Sequence, residues 1–203
     1  MRCLYIMKAM KDILIATHNA HKLEEFRSLL EPLEYRVVGA DDIGLPDIEE
    51  TGSSFQENSA LKAVAAAKFA KMMAIADDSG LCVHALDDKP GIYSARYAAM
   101  NGGYPAVFDV LLNQLQDDFS AHFHCCLCLA FPDKKPVFFE GEVYGQLTSR
   151  VEMTGSSFGF DPIFRPDGYE HTFGGLPKEI KNKISHRANA LAQLVVYLKN
   201  YNP

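Results

Sequence analysis

At 203 residues and 48% hydrophobic, the chain is long enough to bury a full core in one domain, taken here as residues 1–203. A formal net charge of −6 argues against a general nucleic-acid binder, while leaving room for a small anionic ligand on a local basic patch. No apolar run approaches the roughly 18 residues of a membrane span. Met1–Met7 lacks the sustained apolar stretch and small-residue cleavage site of a secretory signal. Five cysteines in no framework spacing fit a reducing compartment, so the expected location is cytoplasmic. Residues 1–9 read as an N-terminal extension that the domain does not need, with Met7 and Met10 as alternative starts.

Asp12–Thr17 is a continuous apolar run that closes on polar residues, the pattern of a strand buried on both faces. Thr17-His18-Asn19-Ala20-His21-Lys22 follows, then a helical stripe of Leu23, Phe26, Leu29 and Leu30 that Glu31-Pro32 stops. Strand, polar turn and helix N-terminus make a generic anion site, because unpaired N–H groups and the positive dipole end face the turn. Lys22 adds a full charge there, and Thr17 and Asn19 offer hydrogen-bond donors. The same residues also make an ordinary capped helix. The absence of glycine excludes a Walker loop and a dinucleotide fingerprint.

Tyr35–Val38 predicts a second strand. Asp41, Asp42, Asp47, Glu49 and Glu50 then form an acidic run without a base, a solvated loop unless a cation stands opposite. Ser54-Phe55-Gln56-Glu57 has capping-box spacing and opens an Ala-rich helix to about Met72. Ala74–Ala76, Asp77-Asp78-Ser79-Gly80 and Leu81–Val83 predict a strand, an acidic turn and a strand. Adjacent strand positions face opposite sides, so only one of the two carboxylates aims fully into a given cleft. Their repulsion calls for a cation or a donor nearby.

Pro90-Gly91 is a turn, and Arg96 after it has a structural role. Ala106–Leu115 is a helix carrying Val107, Val110, Leu111 and Leu115. Ala121–Ala130 alternates, with His122, His124, Cys126 and Cys128 on one face. Four ligands strung over about 20 Å of one strand do not converge on zinc, so the segment reads as a buried strand. Val137–Tyr144 completes a hairpin with it. Thr154–Ser157 is a flexible turn leading into Phe158-Gly159-Phe160-Asp161-Pro162. Two aromatics around a glycine allow a base to stack close to the backbone, with Asp161 able to accept from a ring N–H. Lys178, Lys181, Lys183, His186 and Arg187 crowd the approach to a final helix, Ala188–Leu198, capped by Ser185.

Each feature has an ordinary structural explanation alone. Together the cradle Thr17–Lys22, the carboxylates Glu49, Glu50, Asp77 and Asp78, the aromatic turn and the basic cluster are the inventory for a nucleoside triphosphate held through magnesium.

The chain resembles the inosine/xanthosine triphosphate pyrophosphatase (Ham1-like) family. The resemblance rests on Thr17-x-Asn19-x-x-Lys22, Glu49-Glu50-Thr51-Gly52, Phe55-Gln56-Glu57-Asn58-Ser59-Ala60 and Ala76-Asp77-Asp78-Ser79-Gly80-Leu81. It continues through Pro90-Gly91-Ile92-Tyr93-Ser94-Ala95-Arg96-Tyr97, Phe158-Gly159-Phe160-Asp161-Pro162-Ile163-Phe164 and Lys181-x-x-Ile184-Ser185-His186-Arg187-Ala188. It implies an α/β fold with a long curved mixed sheet flanked by helices, two lobes with the active-site cleft between them, and usually a homodimer. It also implies magnesium-dependent hydrolysis of dITP, ITP and XTP to the monophosphate and pyrophosphate, clearing them from the nucleotide pool. Asp78 would accept the proton of water and, with Glu50 or Glu49, hold Mg2+. Thr17, His18, Asn19, Ala20, His21 and Lys22 would hold phosphates, and Ser79 would touch substrate. Phe158, Gly159, Phe160, Asp161, Lys181, His186 and Arg187 would bind the base and nearby groups. His18 stands where the family often has glycine.

Overall fold

The computed structural model describes residues 10–154 and 157–201. The expected extension at residues 1–9, the middle of the flexible turn at Gly155-Ser156 and the His21 side chain lie outside that description. β1 (Lys11–Ile15) buries Ile13, Leu14 and Ile15 completely, as a two-sided apolar run must. α1 (Ala20–Leu30) packs Phe26 and Leu30 into the core, each burial worth about 1.5–3 kcal/mol. Leu29, expected on that stripe, is exposed, because Leu30 takes the inward position and its neighbour is turned about 100° away. β2 (Tyr35–Gly39) follows in parallel beside β1.

α2 (Phe55–Ala70) begins at Ser54, whose hydroxyl accepts from the Glu57 N–H at 3.1 Å. The return half of the capping box is displaced by one residue: Glu57 accepts from the Ser53 N–H at 2.7 Å and its hydroxyl at 2.8 Å. Ala63, Ala66 and Ala67 are fully buried and pack with Ala74, Ala76 and Ala130 of the sheet. Side chains this small bring the helix axis close to the strands, and with it every polar group on the same face.

The predicted acidic turn is not a turn. Met73–Val83 is one continuous strand, β3, with Asp77-Asp78-Ser79-Gly80 in its middle. β4 (Lys89–Pro90) pairs antiparallel with its end. α3 (Ser94–Met100) forms where the sequence has no clear periodicity, and α4 (Ala106–Leu112) leaves Val110 exposed although it lies on the expected apolar stripe. β5 (Ser120–Ala130) and β6 (Val137–Leu147) form the expected antiparallel hairpin. β7 (Phe164–Pro166), α5 (Lys178–Ile184) and α6 (His186–Asn200) complete the chain. The basic cluster ahead of the final helix is thus partly helical itself.

Among the described residues, seven strands form one mixed sheet in the order β2-β1-β3-β5-β6-β7, with β4 beside β3. β1 pairs in parallel with β2 and β3, and the remaining pairs are antiparallel. One lobe gathers Ile13, Phe26, Leu30, Ile75 and Leu127 under α6; the other gathers Leu81, Phe108, Leu111, Phe123 and Phe164. β3 and β5 run through both, giving the mixed α/β architecture with two lobes that was expected.

The functional consequence lies at one edge of β3. β1 pairs with β3 only from Met73 to Ile75, and β4 pairs only at Cys82 and Val83. Ala76–Leu81 is therefore paired with β5 alone, and the sheet has a notch there. Among the described residues, no helix is long and apolar enough to cross a membrane.

Candidate active site

The notch explains how two adjacent carboxylates serve one site. Asp77 and Asp78 alternate to opposite faces of β3, as strand geometry requires, but the missing neighbour makes both faces reachable from the same opening. On the face under α1 and α6, Asp77 accepts from Lys22 Nζ at 2.9 Å. It also accepts from Arg187 Nη2 at 3.3 Å and from the Ser79 hydroxyl at 3.2 Å. Burial alone would raise its proton affinity; Lys22, Arg187 and Lys62 overcome this and hold the carboxyl well below the usual carboxylate range.

On the α2 face, Asp78 accepts from Asn58 Nδ2 at 3.0 Å and from the Ser79 N–H at 3.0 Å. Burial pushes this carboxyl up to about 6, with the charges of Glu50 and Asp77 acting in the same direction against Lys62 and Asn58. Lys62 crosses the notch: its Nζ donates to the Asp77 carbonyl oxygen at 2.8 Å and pairs with the Glu50 carboxylate. Arg96 donates to the Glu50 carbonyl oxygen at 2.6 Å, the structural role expected of it.

Asp78 and Glu50 offer oxygen ligands suited to a hard divalent cation. Glu50 lines the cavity; Glu49 is exposed and contributes to none of the described cavity walls.

Of the two readings of Thr17–Lys22, the capped helix is the one its hydrogen bonds draw. Thr17 Oγ1 accepts from the Asn19 N–H and Asn19 Oδ1 accepts from the Lys22 N–H, both at 3.2 Å, so the supposed donors cap the helix. Ala20 opens α1 and is exposed. His18 turns toward the acidic run, with Nδ1 2.6 Å from Asp41 and Nε2 3.3 Å from Asp47. A base therefore does stand opposite those acids.

A cavity of about 400 Å³ runs from Lys22, Lys62 and Asp78 to Phe158, Phe160 and His186. Gly159 adopts a left-handed φ of 62° that turns the chain between two unlike rings. Phe158 is exposed, whereas Phe160 is 2% exposed and sits edge-on to Tyr104 at 5.2 Å, so only Phe158 is free to stack broadly on a ligand. Asp161 pairs with Lys181 and accepts from the Phe158 N–H at 2.9 Å, bracing the turn. His186 stacks on Phe123 at 4.8 Å, and its buried Nδ1 has no partner among the described residues. Burial, reinforced by Arg187 and Lys181, depresses its proton affinity well below the ordinary histidine value. Arg187 is held between Asp77 and Glu25, with Nη1 donating to Glu25 Oε2 at 2.9 Å.

Sequence reasoning did not single out Lys62, Glu25 or Tyr104, and cited Asn58 only within a motif. The available signal was helical spacing: Asn58 and Lys62 are four apart on one α2 face, and Lys22 and Glu25 three apart on α1.

A notched mixed sheet with a buried acid near pKa 6 facing a knot of cations defines the class: an α/β hydrolase of phosphate anhydrides. The chain belongs to the Ham1 family, whose model matches residues 13–197. A dITP/XTP pyrophosphatase of Bacillus licheniformis is 42% identical over 93% of this chain and 98% of its own. One of Streptomyces coelicolor is 44% identical over 92% and 96%. The solved Ham1 protein of Staphylococcus aureus superposes with a TM-score of 0.84 at 42% identity, covering 94% of this chain and 99% of that one.

Proposed function

We propose that the chain hydrolyses deaminated purine nucleoside triphosphates, dITP, ITP and XTP, to the monophosphate and pyrophosphate. The observation that carries this is Asp78, a buried carboxyl poised near 6 at an unpaired strand edge, opposite Lys22, Lys62 and Arg187. Asp78 accepts the proton of the attacking water, and Asn58 keeps its carboxylate aimed into the cleft. Lys22 and Lys62 neutralise the triphosphate, which competes for cations now engaged by Asp77 and Glu50. Asp78 and Glu50 would hold Mg2+, which when bound supplies charge neutralisation across the phosphate oxygens.

At the far end, Phe158 offers a ring face to the base and His186 a buried ring nitrogen. Hypoxanthine and xanthine present a keto acceptor where adenine presents an amino donor. Donors left unpaired by adenine cost roughly 1–3 kcal/mol each. The family resemblance supports a homodimer and a cytoplasmic setting.

Product analysis with dITP, XTP, dGTP and dTTP, each with Mg2+ and with excess chelator, tests the reading. Pyrophosphate from dITP and XTP, lost on chelation and weak with dGTP and dTTP, is the expected result. Orthophosphate as the product, or turnover of dTTP alone, overturns it.

A further inference from the structure

The His122-x-His124 pair of β5 takes no part in the site above. Along the strand itself the alternating face does not converge, since Cys126 and Cys128 are buried beneath α2. Neighbouring elements change the picture. Across the hairpin His124 pairs with Glu142 in register, and His124 Nδ1 lies 3.0 Å from Glu142 Oε1. His122, His124 and Glu142 each bring one ligand atom within 4.8 Å of the others. On the other side His84, just past the end of β3, places Nε2 2.9 Å from His122 Nδ1 and, with Asp88 and His122, forms a second such trio.

The rings are held. Phe55 stacks on His124 at 4.7 Å and Tyr144 on His122 at 5.2 Å, while the Tyr144 hydroxyl donates to Glu142 Oε2 at 2.7 Å. These side chains are half-buried or exposed, so an ion can enter from solvent.

We propose that His122, His124 and Glu142 form a binding site for a borderline divalent transition-metal ion of the Zn2+ class. With His122 Nδ1–H donating to His84 Nε2, the His122 Nε2 lone pair is left for the ion, the way an outer partner fixes the tautomer of a ligating imidazole. Two imidazoles and one carboxylate suit zinc, cobalt or nickel; a hard cation such as Mg2+ prefers an all-oxygen set. The site lies beside the acidic centre and shares no ligand with it: His124 and His122 pair with Gly80 and Cys82, two and four residues along β3 from Asp78, or about 7 and 14 Å of strand. A bound ion would staple the β5–β6 hairpin, with His84 and Asp88 backing it at the end of β3.

The test is calorimetric titration of chelator-stripped full-length protein with Zn2+ in excess Mg2+, which keeps the acidic centre occupied. The expected result is one Zn2+ per chain, weakened at least about tenfold in His122→Gln and in Glu142→Gln and retained in Asp78→Asn. Zn2+ should also raise the unfolding temperature of the wild type but not of His122→Gln. Both variants keep side-chain volume, and their metal-free unfolding curves check that they fold. No binding to the wild type, or binding lost in Asp78→Asn and intact in His122→Gln, overturns the proposal.

Discussion

Asp77 and Asp78 are consecutive in β3 and carry opposite protonation tendencies. Asp77, 2.9 Å from Lys22, is held ionised; Asp78, beside Asn58, is pushed up to about 6. Strand alternation sends them to different neighbours: Asp78 lines the cleft directly, and Asp77 holds Lys22 and Arg187, which line it too. One acid organises cations while the other is free to exchange a proton.

Asp77→Asn should therefore be a stability variant first. It leaves Lys22 and Arg187 without their shared buried counter-charge, and breaking such a pair costs about 3–5 kcal/mol. Asp77 has a folded pKa below its unfolded one, so its stabilisation is present at neutral pH and is lost as pH falls below about 4. Urea unfolding at several pH values should show acid sensitivity in the wild type that is reduced in the variant.

Asp78→Asn should separate activity from stability. Loss of the proton acceptor lowers kcat by about 10²–10⁴-fold, with triphosphate binding retained. Here the folded pKa is raised, so ionisation works against the folded state increasingly up to about pH 6 and fully above it. The variant lacks that charge and should unfold later at neutral pH. In the wild type, kcat/KM should fall below about pH 6. An active Asp78→Asn enzyme would rule out the assigned base.

Much of this was legible in the sequence because local chemistry and global fold agree. β1, the capped α2 and the β5–β6 hairpin follow from apolar runs, Ser54 and alternation. The acidic stretch was read as a turn because Asp, Ser and Gly favour turns when nothing else is known. It is strand because β5 pairs with it residue for residue from Ala74 to Val83, a fact about another segment. Lys62 was invisible for a similar reason: in an Ala-rich helix a lysine looks solvated until α2 is known to lie flat on β3. The resemblance gives Arg187 to the base and nearby groups; its guanidinium contacts with Asp77 and Glu25, from elements over a hundred residues away, are not readable from the sequence.

Lys62→Met tests that crossing residue. It removes the donor to the Asp77 carbonyl, a loss of roughly 1–3 kcal/mol for a polar group left buried and unpaired, and leaves the half-buried Glu50 carboxylate to Arg96. KM for the triphosphate should rise. Lys62 also opposes the upward shift of Asp78, so the acid limb of kcat/KM should move to higher pH in the variant. A KM change with no movement of that limb would mean that Lys62 touches phosphate but not the base.

His18→Gly addresses the departure from the usual cradle. His18 bridges the turn before α1 to Asp41 and Asp47. Releasing the turn from those acids in His18→Gly should change the KM for the triphosphate at a fixed pH. An unchanged KM would show that His18 has no influence on phosphate binding.

Gly80→Ala should be the most damaging small substitution at the notch. A Cβ there would stand 2.1 Å from the Gly91 carbonyl oxygen and 2.8 Å from Ser94 Oγ. Neither neighbour can yield cheaply: Ser94 Oγ donates to that same carbonyl at 2.7 Å and accepts from the Leu81 N–H at 2.9 Å. The added methyl must push the Gly91–Ser94 segment away from β3, and Ile92 and Ser94 line the cleft. Overpacking of this kind costs about 1–3 kcal/mol. The urea midpoint should fall with the slope unchanged, and kcat/KM for dITP should fall with it. A variant of wild-type stability would mean that the segment moves aside freely, and that this wall of the cleft is not rigidly set by Gly80.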